Sequence, residues 1–185
     1  MIRPALPADA PVIAQLIILA MGDLAAKFVN GHNAEQALPL FERFAALTGN
    51  QYSFENTLIW EDETGVAGMI SGYNGEDLNK LRRPFLEYIV IKYGVVHQIE
   101  DETQTGEYYI DCLAVFPGYR GKGIAKKLIK ALCDKAASAN FNNVGLLVVK
   151  SNPNAKKLYI ELGFSTVDER TFVGDVYDHL QYQML

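Results

Sequence analysis

Apolar and polar residues change their spacing several times along the chain, and each change marks an element. Tyr108–Val115 (YYIDCLAV) is dense in aromatic, β-branched and other apolar residues, the composition of a buried strand. Pro117 and Gly118 stop that strand and turn the chain. From about Lys122 the pattern becomes helical, with Ile124, Ala125, Leu128, Ile129, Leu132 and Cys133 recurring at three and four. Asn143–Val149 is another apolar strand. The helix after it has Asn152 as its cap, Pro153 at its first position and Gly163 where it stops, and Phe164 begins the next strand.

Upstream of these, Met1–Pro4 reads as a short first strand, and Pro7–Asp9 open a helix carrying Val12, Ile13, Leu16, Ile17, Leu19 and Ala20. A second helix is expected over Ala34–Leu47, with Asn33 and Gln36 as a capping box and Thr48-Gly49-Asn50 as its end. Thr57–Asp62 and Val66–Tyr73 form a hairpin across Glu63-Thr64-Gly65. Phe172 and Tyr177–Leu185 supply two terminal strands around Val173-Gly174-Asp175. Between hairpin and central strand, Gly75–Gly106 is longer than an ordinary connection. Glu76–Tyr93 reads as a helix interrupted at Pro84, and Ile99–Gly106 as a polar, acidic loop. Such a segment is either a surface elaboration or dimer contact, or a wall of the substrate site.

Composition narrows the class. The 185 residues suit one domain, with 49% hydrophobic and 21% charged residues and no repeat, low-complexity tract or linker. A net charge of −5 gives no general reason to expect nucleic acid or an anionic membrane as partner, and Arg82-Arg83 is too short to change that. No apolar run approaches membrane-spanning length, and no leader pattern opens the chain. Two cysteines do not make a disulfide framework, so a cytoplasmic, reducing location is expected. His32, His97 and His179 are far apart in sequence and lack metal-ligand spacing, so no metal is expected.

The chemistry begins between the central strand and its helix, at Arg120-Gly121-Lys122-Gly123-Ile124-Ala125. Two glycines bare the backbone just where a helix presents unpaired N–H groups and the positive end of its dipole. That suits a phosphate-bearing ligand, with Lys122, Lys126 and Lys127 nearby. It is not a Walker A loop, because Ile124 and Ala125 stand where Lys and Ser/Thr are needed. A dinucleotide fingerprint fails as well, because Lys126 occupies the third glycine position. What remains is R-x-x-G-x-A, fitted by Arg120, Gly123 and Ala125.

Here the chain resembles the GNAT superfamily of N-acetyltransferases, in which [RQ]-x-x-G-x-[GA] wraps the pyrophosphate of coenzyme A. Two further stretches carry the same resemblance. One is the opening IRPALPADAPVIAQL, and the other is N-x-x-A-x-x-x-Y-x-x-x-G-F, fitted by Asn152, Ala155, Tyr159, Gly163 and Phe164. The likeness covers nearly the whole chain except Gly75–Gly106. It implies a GNAT-like α/β (α+β) fold: a mixed, mostly antiparallel central sheet of about six to seven strands flanked by helices. Residues 1–185 would be one such domain, with an insertion at 75–106 between the third and fourth strands, near the acceptor pocket.

The resemblance also implies chemistry: acetyl-CoA as co-substrate, and direct attack by a primary amine in a ternary complex. Arg120, Gly121, Lys122, Gly123, Ile124 and Ala125 would hold the diphosphate, and the backbone of Leu113, Ala114 and Val115 would meet the pantetheine. The side chains of Leu113 and Val115 can pack in the core at the same time. Tyr159 falls at the family's tyrosine and is the expected general acid for the departing thiolate, against the plainer role of a core aromatic. Asn152 caps its helix, with contact to the cofactor arm as a second role. Asp111, a charge in an apolar strand, and Glu107 share a face by the two-residue period, and either is a candidate general base or a structural carboxylate. Cys112 is expected to project opposite Asp111 and Leu113 as a small buried residue. Lys126 and Lys127 are phosphate contacts or solvated helix residues. The acceptor is a small-molecule or peptide amine, and the acidic Glu100–Glu102 hints at a cationic one, unless an exposed loop explains them. A homodimer is compatible with the resemblance. The alternative from another class is a non-catalytic acyl-CoA-binding sensor or interaction domain.

Overall fold

A computed structural model describes residues 1–96 and 100–184; His97, the Ile99 start of the expected loop and Leu185 lie outside the described residues. Seven strands form one sheet in the order β1-β2-β3-β4-β5-β7-β6. They are β1 (Ile2–Pro4), β2 (Thr57–Asp62), β3 (Gly65–Asn74), β4 (Tyr108–Val115), β5 (Asn143–Val149), β6 (Ser165–Phe172) and β7 (Asp175–Gln183). Every neighbouring pair is antiparallel except β4 and β5, so the sheet is mixed and mostly antiparallel.

The helices are α1 (Ala10–Met21), α2 (Asp23–Lys27), α3 (Leu38–Ala46), α4 (Leu78–Tyr93), α5 (Ile124–Ser138) and α6 (Pro153–Glu161). Local chemistry explains their ends. Asn33 and Gln36 cap reciprocally, as their spacing predicts, over a 3-10 turn that leads into α3. Asp9 accepts two bonds from Arg3, at 2.8 and 3.0 Å, and one from the Leu6 N–H at 2.7 Å, tying the first helical turn to β1. α5 starts two residues later than its periodicity suggests, because Gly123 is left-handed at φ 75° and cannot be the first helical residue. α2 is absent from the sequence reading, since five residues are too few to display a helical period. Pro84 does not end α4, which runs through it.

Two apolar layers sandwich the sheet. On one face Ile124, Leu128, Ile129 and Leu132 of α5 are buried with Ile70, Ile110 and Leu146. On the other, Ile13 and Leu16 of α1 and Phe41 of α3 join Phe85 and Ile89 of α4. Phe85 is the hub, with ring centroids 4.7 Å from Tyr52, 5.1 Å from Phe44 and 5.2 Å from Phe28. No helix among the described residues is long and apolar enough to cross a membrane.

Two irregularities in β4 prepare the site. Ser71 pairs with Cys112 and Gly72 with Ile110, so Asp111 is an unpaired bulge residue. The bulge corrects the expected orientation of Cys112. Cys112 packs with the α1–α4 layer, the side from which Gln51 reaches Asp111, and so lies opposite Leu113 but not opposite Asp111. The second irregularity is that β4 pairs with β5 only at Tyr108–Ile110 against Val144–Leu146. Beyond that the two strands carry no mutual register.

Candidate active site

A cleft of about 240 Å³ opens where β4 and β5 part. Leu113 of β4 lines it, and on the β5 and α6 side so do Val148, Asn152, Ala155 and Tyr159. On the α4 side it is lined by Gln51, Tyr52, Arg82, Phe85, Glu102 and Asp111. The long β3–β4 connection therefore walls the cleft from two places, α4 and the segment containing Glu102.

Glu102 and Asp111 are joined by Gln51, whose Nε2 donates to Glu102 Oε1 at 2.9 Å and to Asp111 Oδ1 at 3.0 Å. Tyr109 Oη donates to Glu102 Oε2 at 3.4 Å, and Tyr73 Oη to Asp111 Oδ1 at 3.5 Å. Asp111 Oδ2 is buried with no hydrogen-bond partner among the described residues. Burial raises both carboxyl pKa values well above the usual range, and the charge of Asp111 raises Glu102 further. Burial and the neighbouring like charge favour the pair holding one proton, with Glu102 the more strongly raised of the two. Asp101 is exposed and paired with Arg82, whereas the adjacent Glu102 is buried, so Glu100–Glu102 is not uniformly an exposed loop.

Glu107, the other expected base, does not line the cleft. It is fully buried, and its carboxylate accepts from Gln181 Nε2 at 2.8 Å and from the Gln104 N–H at 3.0 Å. Glu107 Oε2 also lies 2.9 Å from His179 Nε2. These partners satisfy Glu107 and hold it over Gly145, where a Cβ would come within 2.1 Å of its Oε2.

Tyr159 is 7% exposed, lines the cleft, and packs edge-on to Phe164 at 5.4 Å. Burial raises its hydroxyl pKa far above the usual value, so it keeps its proton. Asn152 Oδ1 accepts from the Ala155 N–H at 3.1 Å, which is the cap its sequence position predicts, and Asn152 also borders the cleft. Cys112 lines the cleft too, and burial pushes its thiol pKa up, away from nucleophilic use.

The glycine loop follows directly from β4. Gly121 and Gly123 have φ of 77° and 75°, and a Cβ on either would meet nothing within 4 Å. Glycine is therefore needed there for backbone conformation, and the loop faces open space. Gly123 caps α5 without any side-chain cap, so the first amides of the helix are left to an outside acceptor. Arg120 Nε donates to the Val115 carbonyl at 3.2 Å, and the Lys122 ammonium sits 4.8 Å from the Tyr119 ring centre. Lys126 is paired with Glu161 at 3.0 Å. Gln51, Tyr52 and Arg82 were not legible as site residues in the sequence. Only the acidic run pointed toward Glu102.

The sequence profile of the Acetyltransferase (GNAT) family matches residues 23–164. The chain belongs to this family. Among its relatives, the GNAT chain is 29% identical over 84 residues to a spermine/spermidine N(1)-acetyltransferase of Bacillus subtilis (strain 168), covering 45% of this chain and 55% of the relative. It is 31% identical over 81 residues to a thialysine N-epsilon-acetyltransferase of Mus musculus, covering 44% of this chain and 48% of the relative. The chain thus spans about half the length of the curated relatives it matches. An N-acetyltransferase from Staphylococcus aureus Mu50 has a similar structure, with a TM-score of 0.86 and 29% identity over 98% of this chain and all of that one. The GNAT fold, with its seven-stranded sheet flanked by helices, is as the sequence resemblance implied.

Proposed function

We propose that this chain is an acetyl-CoA-dependent N-acetyltransferase acting on a cationic primary amine by direct attack in a ternary complex. One observation carries the reading. A single cleft runs from the parted β4–β5 backbone and Tyr159 to a buried, carboxylate-lined end. Coenzyme A fits the residues present: the loop is open, its leading amides have no side-chain acceptor, and the strand gap suits a slender arm. In this reading Gly121, Lys122, Gly123, Ile124 and Ala125 hold the diphosphate through main-chain N–H groups, and Arg120 braces the loop against Val115. The backbone of Leu113, Ala114 and Val115 orients the arm, with Asn152 beside it. The cofactor supplies an acetyl thioester.

The residues of the chain do the rest. Asp111, with Glu102 beside it, takes the proton that an arriving ammonium must lose before it can attack. Raised carboxyl pKa values bring the pair nearer to an amine's own, which makes that transfer less uphill. Tyr159 holds a proton at Oη for the departing sulfur. The acidic end and the aromatic wall of Tyr52 and Phe85 suit a narrow cation, and the amine substrates named for the relatives agree in kind. Both described cysteines are free, which suits a reducing cytoplasm.

The test is thiol release from acetyl-CoA against spermine, spermidine, thialysine, lysine and a short peptide with a free N-terminus. Turnover with at least one cationic amine, and none with neutral alcohols, is the expected result. Tyr159→Phe is expected to lower kcat about 10²-fold or more while calorimetric affinity for acetyl-CoA stays unchanged. Cofactor binding with no turnover of any amine would favour an acyl-CoA sensor instead.

A further inference from the structure

Glu102 enters the cleft from a segment that belongs to no helix or strand, so its position must be fixed from outside. The next two residues show how. Thr103 Oγ1 donates to the Gly75 carbonyl at 2.6 Å, and the Gln104 N–H donates to Glu107 Oε1 at 3.0 Å. Arg170 completes the hold: Nη1 donates to the Thr103 carbonyl at 3.2 Å and Nη2 to Gln104 Oε1 at 2.8 Å. Arg170 lies on β6, the edge strand farthest from β1, and is not a cleft residue.

The guanidinium is itself braced. Arg170 Nε donates to Asp168 Oδ1 at 3.3 Å, and Nη2 lies 3.1 Å from His179 Nδ1. His179, fully buried, reaches through Nε2 to Glu107, which closes the circuit back to Gln104. A planar fork aims two separate nitrogens at two acceptors at once, whereas an ammonium has one nitrogen from which to reach both.

We propose that Arg170 is a positioning residue for the acceptor amine, holding Thr103 and Gln104 so that Glu102 stays opposite Asp111 across Gln51. This rests on the reading of the Glu102–Asp111 end as the amine site, and the test separates the two ideas. Carbon-13 NMR titration of the glutamate carboxyls, with Glu102→Gln to assign the signal, follows Glu102 without any substrate. In Arg170→Ala, Glu102 is expected to titrate nearer the ordinary carboxylate range, because the loosened segment admits water. With spermidine as the amine, KM is expected to rise about tenfold, with kcat and the KM for acetyl-CoA within about twofold. In a Glu102→Gln background, Arg170→Ala is expected to add nothing further to the amine KM. Should Arg170→Ala not fold, Arg170→Lys, keeping the charge but one prong, must show the same changes at smaller size. An unmoved Glu102 titration in a folded variant, or an equal KM effect with and without Glu102, overturns the proposal. If wild type does not acetylate spermidine, the acceptor reading fails for that amine, and the titration alone decides the role of Arg170.

Discussion

Two carboxyls bridged by one glutamine amide set a measurable pH signature. Burial raises both pKa values in the fold, so over the range between them and the usual carboxylate value of about 4.3 the native chain holds protons that the unfolded chain has released. The unfolded state then binds fewer protons, and stability falls as pH rises from about 5 toward 8. Glu102→Gln removes one of the two raised groups. Its stability is expected to match wild type near pH 4 and to exceed it near pH 8, as read by urea unfolding across that range. A decline with pH as steep as that of wild type would count against a raised Glu102. At this scale the sequence located residues tied to a motif position, Asn152 and Tyr159, and one marked by an incongruous charge, Asp111, and all three line the cleft. It was silent on Gln51. A polar side chain's burial there depends on α3, α4 and β4 meeting, which no local spacing records.

At the scale of elements, the strands were more legible than the joints. β4 and β5 run as their apolar stretches predict, from Tyr108 to Val115 and from Asn143 to Val149. The bulge at Asp111 was not visible, because it is a property of pairing with β3, and it put Cys112 on the same side as Asp111 while leaving it opposite Leu113 as expected. The start of α5 slipped for a similar reason: periodicity marks which face is apolar, not which residue is left-handed. That left-handed stretch makes its own prediction. Gly121→Ala meets no atom within 4 Å but must hold a φ of 77°, which costs about 1–2 kcal/mol. Relief of that strain would reshape the loop. Acetyl-CoA affinity is expected to fall about tenfold or more for a distortion of this size, by calorimetric titration, while the amine KM changes little. Retained cofactor affinity would take the loop out of the diphosphate site.

For the whole molecule, the family resemblance conveyed the layered architecture well, since it rested on strand and helix motifs spread from the first strand to Phe164. It left Gly75–Gly106 undefined, and that stretch supplies Arg82, Phe85 and Glu102 to the cleft. A net charge of −5 does not conflict with the proposed anionic cofactor, because the amides of α5 act locally and the two carboxyls of the cleft, Glu102 and Asp111, lie on its α4 side.

The parting of β4 from β5 has a mechanical side. β5, β7 and β6 form a leaf joined to the rest of the sheet through pairing at Tyr108–Ile110 and the buried junction of Glu107 with His179 and Gln181. In native-state hydrogen exchange that leaf is expected to open as a unit below the global unfolding free energy. Gly145→Ala, which crowds Glu107 Oε2, should weaken protection there more than in β1–β3, whereas a uniform loss would argue against such a seam. The gap proposed to admit the cofactor arm would then also be the line along which the sheet tears.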